Sequence, residues 1–232
     1  NDIKVSSRKY PYINFKYDRE IGNDILFVEN LTKNGYFENV SFTVGRDDKI
    51  GIVGGNSKAI SVLYDILMGK EQADSGYFKW GKTIVPTYLP SDNDEYFNGC
   101  DLSLVDWLSR YSYDHYEEFV RGWLARMLFS GEESQKKASV ISGGEKVRCM
   151  LAKMMLEAGN FMILDEPTNH LDLESITALN DGLAAFKGCM LLTSHDRELM
   201  NTVCNRIIEI EGAKTYDRPV NYDTYLEETK RV

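Results

Sequence analysis

Between residues 161 and 210 the chain alternates short apolar runs with helix-length stretches: a run at 161–164, a helical stretch at 173–186, a run at 190–193, a helix at 196–203 and a run at 206–210. An unbroken apolar run offers no polar face to water, so each reads as a strand covered on both sides. Strands separated by helices are joined by crossovers into a parallel sheet. This alternation predicts an α/β protein with a mainly parallel core sheet. The 232 residues suit one large domain, or one domain with an inserted lobe. With 43% apolar and 27% charged residues, the composition excludes a disordered, collagenous or coiled-coil chain. The apolar runs also fall far short of the ~18 residues a membrane crossing needs.

Upstream, strand-like runs at 25–28 and 40–44 precede an apolar strand at 50–53 that delivers the chain into Gly54 and Gly55. A helix fits 60–67, ended by Gly69. Strand-like pieces at 76–80 and 84–89 lead into a helical middle section, where Phe119, Val120, Trp123, Leu124, Met127 and Leu128 recur at helical spacing and read as core. Residues 1–24 differ, because Arg8, Lys9, Lys16 and Arg19 are interleaved with Tyr10, Tyr12, Phe15 and Tyr17 without helical periodicity. Such a stretch is either a tail docked on its own domain through its rings or a junction to a further segment that touches nucleic acid. The chain opens at Asn1 rather than Met, as a fragment would.

An excess of 36 acidic over 27 basic residues gives a net charge of −9. That argues against indiscriminate attraction to phosphate backbones and leaves only a local basic patch open. Cys100, Cys149, Cys189 and Cys204 form no CxxC pair and no secretory leader opens the chain, so a reducing, cytosolic setting is expected. His115, His170 and His195 are too scattered to suggest a metal cluster.

Four short constellations carry chemistry. Phe161-Met162-Ile163-Leu164 ends in Asp165-Glu166, two carboxylates at the C-terminal end of a buried strand, where parallel sheets place their ligands. In a phosphate site the first would hold Mg²⁺ and the second would orient or deprotonate a water. Ser142-Gly143-Gly144-Glu145 opens a helix, and backbone N–H groups there, with glycines allowing close approach, make an anion site. Thr193-Ser194-His195-Asp196-Arg197 follows another apolar strand, so its histidine can reach the same crevice. The segment from Gly51 to Ser61 has the strand, turn glycines and helix of a phosphate loop. Against G-x-x-x-x-G-K-[ST], Gly54 and Ser61 fit, but Ala59 replaces the second glycine and Ile60 the lysine. Taken singly, each of these is also what an ordinary solvated turn looks like.

Their order along the chain, Gly54, Ser142, Asp165, His195, resembles the layout of ATP-binding cassettes over about residues 25–212. Ile141-Ser142-Gly143-Gly144-Glu145-Lys146 resembles the cassette signature, and the stretch from Leu164 to Asp172 resembles a Walker B strand with its D-loop. The wording Glu166-Pro167-Thr168-Asn169-His170-Leu171-Asp172, with Ser194-His195-Asp196-Arg197-Glu198, is similar to the ABC-F subfamily rather than to membrane transporters. The resemblance implies a P-loop NTPase fold, with a parallel core sheet, an antiparallel β lobe and a helical subdomain inserted at about 102–140. It also implies that residues 1–24 are an interdomain linker remnant, and that 25–232 form the second cassette of a two-cassette cytoplasmic protein acting on the ribosome.

In such proteins two cassettes sandwich two ATP molecules. The resemblance assigns Gly54, Gly55, Asn56, Ser57, Lys58, Ala59, Ile60, Ser61 and Val62 to the phosphate loop, and Ser91 to the position where many cassettes carry a glutamine. Asp165 and Ser61 would hold Mg²⁺, Glu166 would activate water, and His195 would contact the γ-phosphate. Ser142, Gly143, Gly144 and Glu145 would close over ATP held by the partner cassette, with Asp172 at the interface. Tyr36 is the candidate for stacking on adenine. A lost lysine contact is worth about 1.5–3 kcal/mol, so binding at the chain's own site should weaken and hydrolysis should suffer more. Lys58 would either substitute in part or point to solvent. The isolated cassette should be a monomer or a weak ATP-dependent dimer. A transporter's nucleotide-binding subunit and a non-catalytic nucleotide-sensing module are the competing readings.

Overall fold

The computed structural model describes residues 9–230. In chain order the elements are β1 (Leu26–Lys33), β2 (Phe37–Val44), β3 (Lys49–Val53), α1 (Ser57–Leu67), β4 (Ser75–Trp80), β5 (Pro86–Leu89), α2 (Leu104–Ser109), α3 (Glu117–Arg126), α4 (Gly143–Glu157), β6 (Phe161–Asp165), α5 (Leu173–Ala185), β7 (Cys189–Thr193), α6 (Arg197–Val203), β8 (Arg206–Glu211), β9 (Lys214–Arg218) and α7 (Tyr222–Thr229). Short 3-10 turns lie at Asp94–Tyr96, Gly131–Gln135 and Ala138–Val140. The chain divides into two compact units.

The larger unit takes Tyr17–Ser91, Gly159–Pro167 and the residues from Lys187 on. It holds a six-stranded sheet of order β5-β6-β7-β3-β8-β9, parallel except for the last pair. Every residue of β6 and β7 is buried, the physical counterpart of their unbroken apolar sequence. A second, antiparallel sheet, β2-β1-β4, completes the unit. Along β2 the residues Phe37, Val40, Phe42 and Val44 turn inward while Glu38, Asn39, Ser41 and Thr43 are exposed, so this lobe shows the alternation of a half-buried sheet. The core runs from these inward residues through α1 (Leu63, Tyr64, Ile66) to β3 and β6.

The smaller unit takes the residues up to Lys16, Asp92–Ala158 and Thr168–Phe186. It is helical: α4 buries Val147 and every residue from Cys149 to Met155, and Trp107 of α2 stacks on Phe97 at 4.8 Å. Residues 9–16 form no helix or strand. They are held by the Tyr12 N–H donating to the Arg126 carbonyl (2.8 Å) and by Phe15 packed edge-on against Phe186. Arg8, counted above with the tail's basic residues, lies outside the described residues.

The α/β class with a parallel core is therefore as the strand-helix alternation predicts, and the antiparallel lobe is as the cassette resemblance implies. Some details differ. α1 begins at Ser57 rather than at residue 60, because Ser57, Lys58 and Ala59 all tolerate helix and Asn56 caps it. α3 stops at Arg126 and Leu128 adopts a left-handed conformation (φ +70°). Of the expected apolar face only Val120, Leu124 and Met127 are fully buried, while Phe119 is at the surface. Phe129 takes the next core position. No described helix is long and apolar enough to cross a membrane, and all four cysteines are free thiols.

Candidate functional site

The carboxylates at the end of β6 are built into the sheet. Asp165 pairs in register with Thr193 of β7, and the chain then turns so that Glu166 sits at φ +52° with its N–H donating to the Thr193 carbonyl (2.8 Å). A left-handed conformation costs a non-glycine residue roughly 1–2 kcal/mol, so the turn is held by its surroundings rather than by local preference. Asp165 is buried and accepts a hydrogen bond from the Ser61 hydroxyl at 2.5 Å. The Ser91 hydroxyl lies 3.5 Å from that of Ser61. Burial pushes the Asp165 carboxyl up to about 6 against the bond from Ser61, and the neighbouring Glu166 charge adds to the rise. Two hydroxyls and a carboxylate are the hard oxygen donors Mg²⁺ prefers, the remaining positions being left to phosphate and water. These residues fit the cation.

Glu166 faces His195 from the neighbouring strand end. Its Oε2 accepts the His195 backbone N–H (3.2 Å). Its Oε1 is buried without a hydrogen bond, 3.3 Å from His195 Nε2, close enough for an ion pair when the imidazole is protonated. Burial raises the Glu166 pKa and His195 opposes that rise. A buried carboxylate oxygen without a donor is an unmet acceptor, the feature expected of a group that orients or takes a proton from water. The His195 ring itself is largely exposed.

Thr193 joins these pieces. Its hydroxyl donates to the Ile52 carbonyl (2.9 Å) and so receives the proton of the Tyr64 hydroxyl (2.6 Å). One buried side chain thus ties the end of β3, the middle of α1 and the β7 end that precedes His195. Burial, with Asp165 nearby, holds the Tyr64 phenol well above its usual range. Sequence reading missed this node: Tyr64 belongs to no motif, and Thr193 stood out only as the start of the stretch that carries His195.

The segment expected to wrap phosphate is wound largely into α1. The Asn56 Oδ1 accepts the Ala59 N–H (3.1 Å), the Asn56 carbonyl accepts the Ile60 N–H (3.3 Å), and the Gly55 N–H donates to Glu211 Oε1 (3.0 Å). Ala59, Ile60 and Val62 are core residues, Lys58 is exposed, and Gly54 and Ser57 lie at the surface. In this arrangement the Gly55, Ala59 and Ile60 amides already have acceptors, so the loop fits a triphosphate less well than the metal pair fits its cation. Tyr36, the adenine candidate, is half-buried and packs against the core cluster.

In the smaller unit, Ser142 is the N-cap of α4. Its hydroxyl accepts the Glu145 N–H (3.2 Å) while Glu145 accepts the Ser142 N–H (3.1 Å), and Lys136 reaches the same carboxylate at 3.3 Å. Burial works to raise Glu145, but the Ser142 bonds and Lys136 outweigh it and hold the pKa below the usual carboxylate value. The reciprocal cap leaves the N–H groups of Gly143 and Gly144 without an acceptor in the helix. Both glycines lie against His170, itself at φ +67°, and Ser142 is exposed. Asp172 caps α5 by accepting the Ser175 N–H at 2.8 Å.

A parallel sheet with these strand-end groups in one unit, and a capped Ser-Gly-Gly turn opening a helix in the other, define an ATP-binding cassette. Residues 37–169 match the profile of the ABC transporter family, and the chain belongs to that family as an ATP-binding domain. Domains of this family bind ATP with Mg²⁺ and act as ATPases. The chain is 59% identical over 232 residues to the ABC transporter ATP-binding protein YkpA of Bacillus subtilis (strain 168), covering 98% of this chain and 43% of that protein. It is 32% identical over 228 residues to the energy-dependent translational throttle protein EttA of Haemophilus influenzae, covering 91% of this chain and 39% of that one. The chain thus spans less than half the length of both relatives. Among solved structures it is similar to a dimeric ATP-binding cassette in a post-hydrolysis state bound to ADP and Pi, with a TM-score of 0.69 at 15% identity over 83% of this chain and 98% of that one.

Proposed function

We propose that the chain is the C-terminal, second nucleotide-binding domain of a cytoplasmic ABC-F protein that acts on the ribosome in translation, or protects it from antibiotics. In this reading residues 1–24 are linker and 25–232 the cassette, with a helical subdomain inserted at about 102–140. The observation that carries it is the pairing of Ser61 with Asp165 and of Glu166 with His195 at two adjacent strand ends. The subfamily wording from Glu166 to Asp172, with the likeness to a translational throttle protein, supports the ribosomal assignment.

Ser61 and Asp165 hold Mg²⁺, and Glu166, kept in place by the His195 amide, positions a water and takes its proton. The bound cation supplies neutralisation of phosphate charge. The own site is degenerate: Ile60 stands in the core where the phosphate-loop lysine would be, and α1 extends through Ser57 and Ala59. The capped turn at Ser142, Gly143, Gly144 and Glu145 serves ATP held by the N-terminal cassette. The same extension of α1 favours, as a second reading, a nucleotide-sensing module that does not turn over. Alone, the domain is a monomer or pairs weakly with ATP.

Two measurements test this. Full-length protein with Glu166→Gln should co-sediment with ribosomes in ATP, and loss of ATP-dependent retention would remove the ribosomal assignment. In the isolated chain, Ile60→Lys should bind ATP about ten- to 150-fold more tightly than the natural sequence if the lysine contact alone is missing. Equal, tight binding by both proteins, checked for folding by circular dichroism, would refute the degenerate site.

A further inference from the structure

Glu211 holds a position that no motif explains. The β3–β8 register pairs Val53 with Glu209, which carries the end of β8 alongside Gly54 and Gly55. Gly54 lies so close that a Cβ there would sit 2.4 Å from the Ile210 carbonyl oxygen. Gly212 (φ +61°) reverses the chain directly after Glu211, and its carbonyl accepts the Glu38 N–H from β2 (3.1 Å). The backbone under Glu211 is therefore fixed and only its side chain is free to swing. That side chain places Oε1 3.0 Å from the Gly55 nitrogen, and both carboxylate oxygens lie over the open face of the glycine, 3.5 and 3.6 Å from where a Cβ would be.

We infer that Glu211 is a specificity-determining residue of the nucleotide site, an internal anion that occupies a phosphate-loop amide and must be displaced for a phosphate chain to enter. The inference rests on the nucleotide-site reading given above. Two anions compete for one donor here, and position 60, where the phosphate-loop lysine would offset their repulsion, is held by Ile60 in the core, while Lys58 is exposed on α1. The carboxylate therefore selects against ligands in proportion to their phosphate charge and is indifferent to the nucleoside.

Equilibrium binding of Mg·ATP and of adenosine to the 232-residue chain, to Glu211→Gln and to Glu211→Ala tests this. Glutamine keeps an acceptor for Gly55 and removes only the charge, whereas alanine removes both. ATP should bind about two- to fivefold more tightly to both variants, the range of a partly exposed charge interaction, with adenosine affinity unchanged. Gly55 amide hydrogen exchange should accelerate in Glu211→Ala and little in Glu211→Gln. ATP affinity equal in all three proteins, or weaker in Glu211→Gln, overturns the inference while leaving the nucleotide site standing. No ATP binding by any of them overturns the nucleotide-site reading and this inference with it.

Discussion

At the start of α4, Gly143 and Gly144 have the His170 turn lying on them, and a Cβ on Gly144 would come within 2.5 Å of the His170 carbonyl oxygen. At the start of α1, Ser57, Lys58 and Ala59 stand where a phosphate loop resembling the family's would bend, and the segment winds into helix under an Asn56 cap. Both are strand- or turn-to-helix junctions, and both begin with a side-chain cap. They differ in whether another part of the chain must pass through the space a side chain would fill. Where it must, as at Gly144 and also at Gly54, glycine stays; where the second loop glycine is replaced by Ala59, helix replaces loop and the Ala59 and Ile60 amides bond to Asn56.

Substitutions can break this contrast, the largest effects coming from close approach. Gly144→Ala and Gly54→Ala each place a Cβ against a backbone oxygen and should cost about 3 kcal/mol in denaturant unfolding. Gly55→Ala meets nothing closer than 3.5 Å and should stay within ~0.5 kcal/mol. If Gly144→Ala unfolds like the natural chain, the packing of the signature turn on His170 is wrong. Next comes Thr193→Val, which strands the Tyr64 hydroxyl and the Ile52 carbonyl and should cost about 2 kcal/mol. Thermal unfolding unchanged by that substitution would show that the node does not hold the strand ends together.

The caps come third. Ser142→Ala and Asn56→Ala should each cost about 1 kcal/mol, and similar values at both helices would show that the two junctions differ in loop geometry rather than in capping. The smallest effect is that of pH. Bonds from Ser142 and Lys136 outweigh burial to lower the pKa of Glu145, and the Ser175 bonds lower that of Asp172, from ordinary values of 4.5 and 3.8. A depressed folded pKa means the unfolded chain binds more protons in acid. The stabilisation is therefore complete above those ordinary values and disappears as pH falls through the depressed ones, an effect below ~0.5 kcal/mol for groups in contact with solvent, Asp172 exposed and Glu145 half-buried. Urea midpoints between pH 5 and 3, compared with those of Glu145→Gln and Asp172→Asn, would detect it.

Much of this was legible before any coordinates. The strand runs of β3, β6, β7 and β8 were apolar enough to name, and Asp165, Glu166 and His195 could be placed at their ends because a strand's last residue marks where the sheet opens. β9 and α7 were not legible, since Lys214–Arg218 is a mostly exposed edge strand without alternation and α7 buries only Tyr225 and Leu226. The start of α1 was misplaced because the phosphate-loop pattern suggested a loop, whereas the residues filling it are compatible with helix.

The amino-acid order by itself determined the α/β class, the parallel core and the identity of the groups at its strand ends, because burial on both faces and crossover connections leave periodic marks in a single stretch of chain. The tertiary structure alone decided that Ile60 joins the core, that Thr193 links three elements, and that Glu211 reaches the Gly55 amide. The last two depend on which donor meets which acceptor across more than a hundred residues of intervening chain, and the first on which distant side chains surround α1; local periodicity carries no record of either.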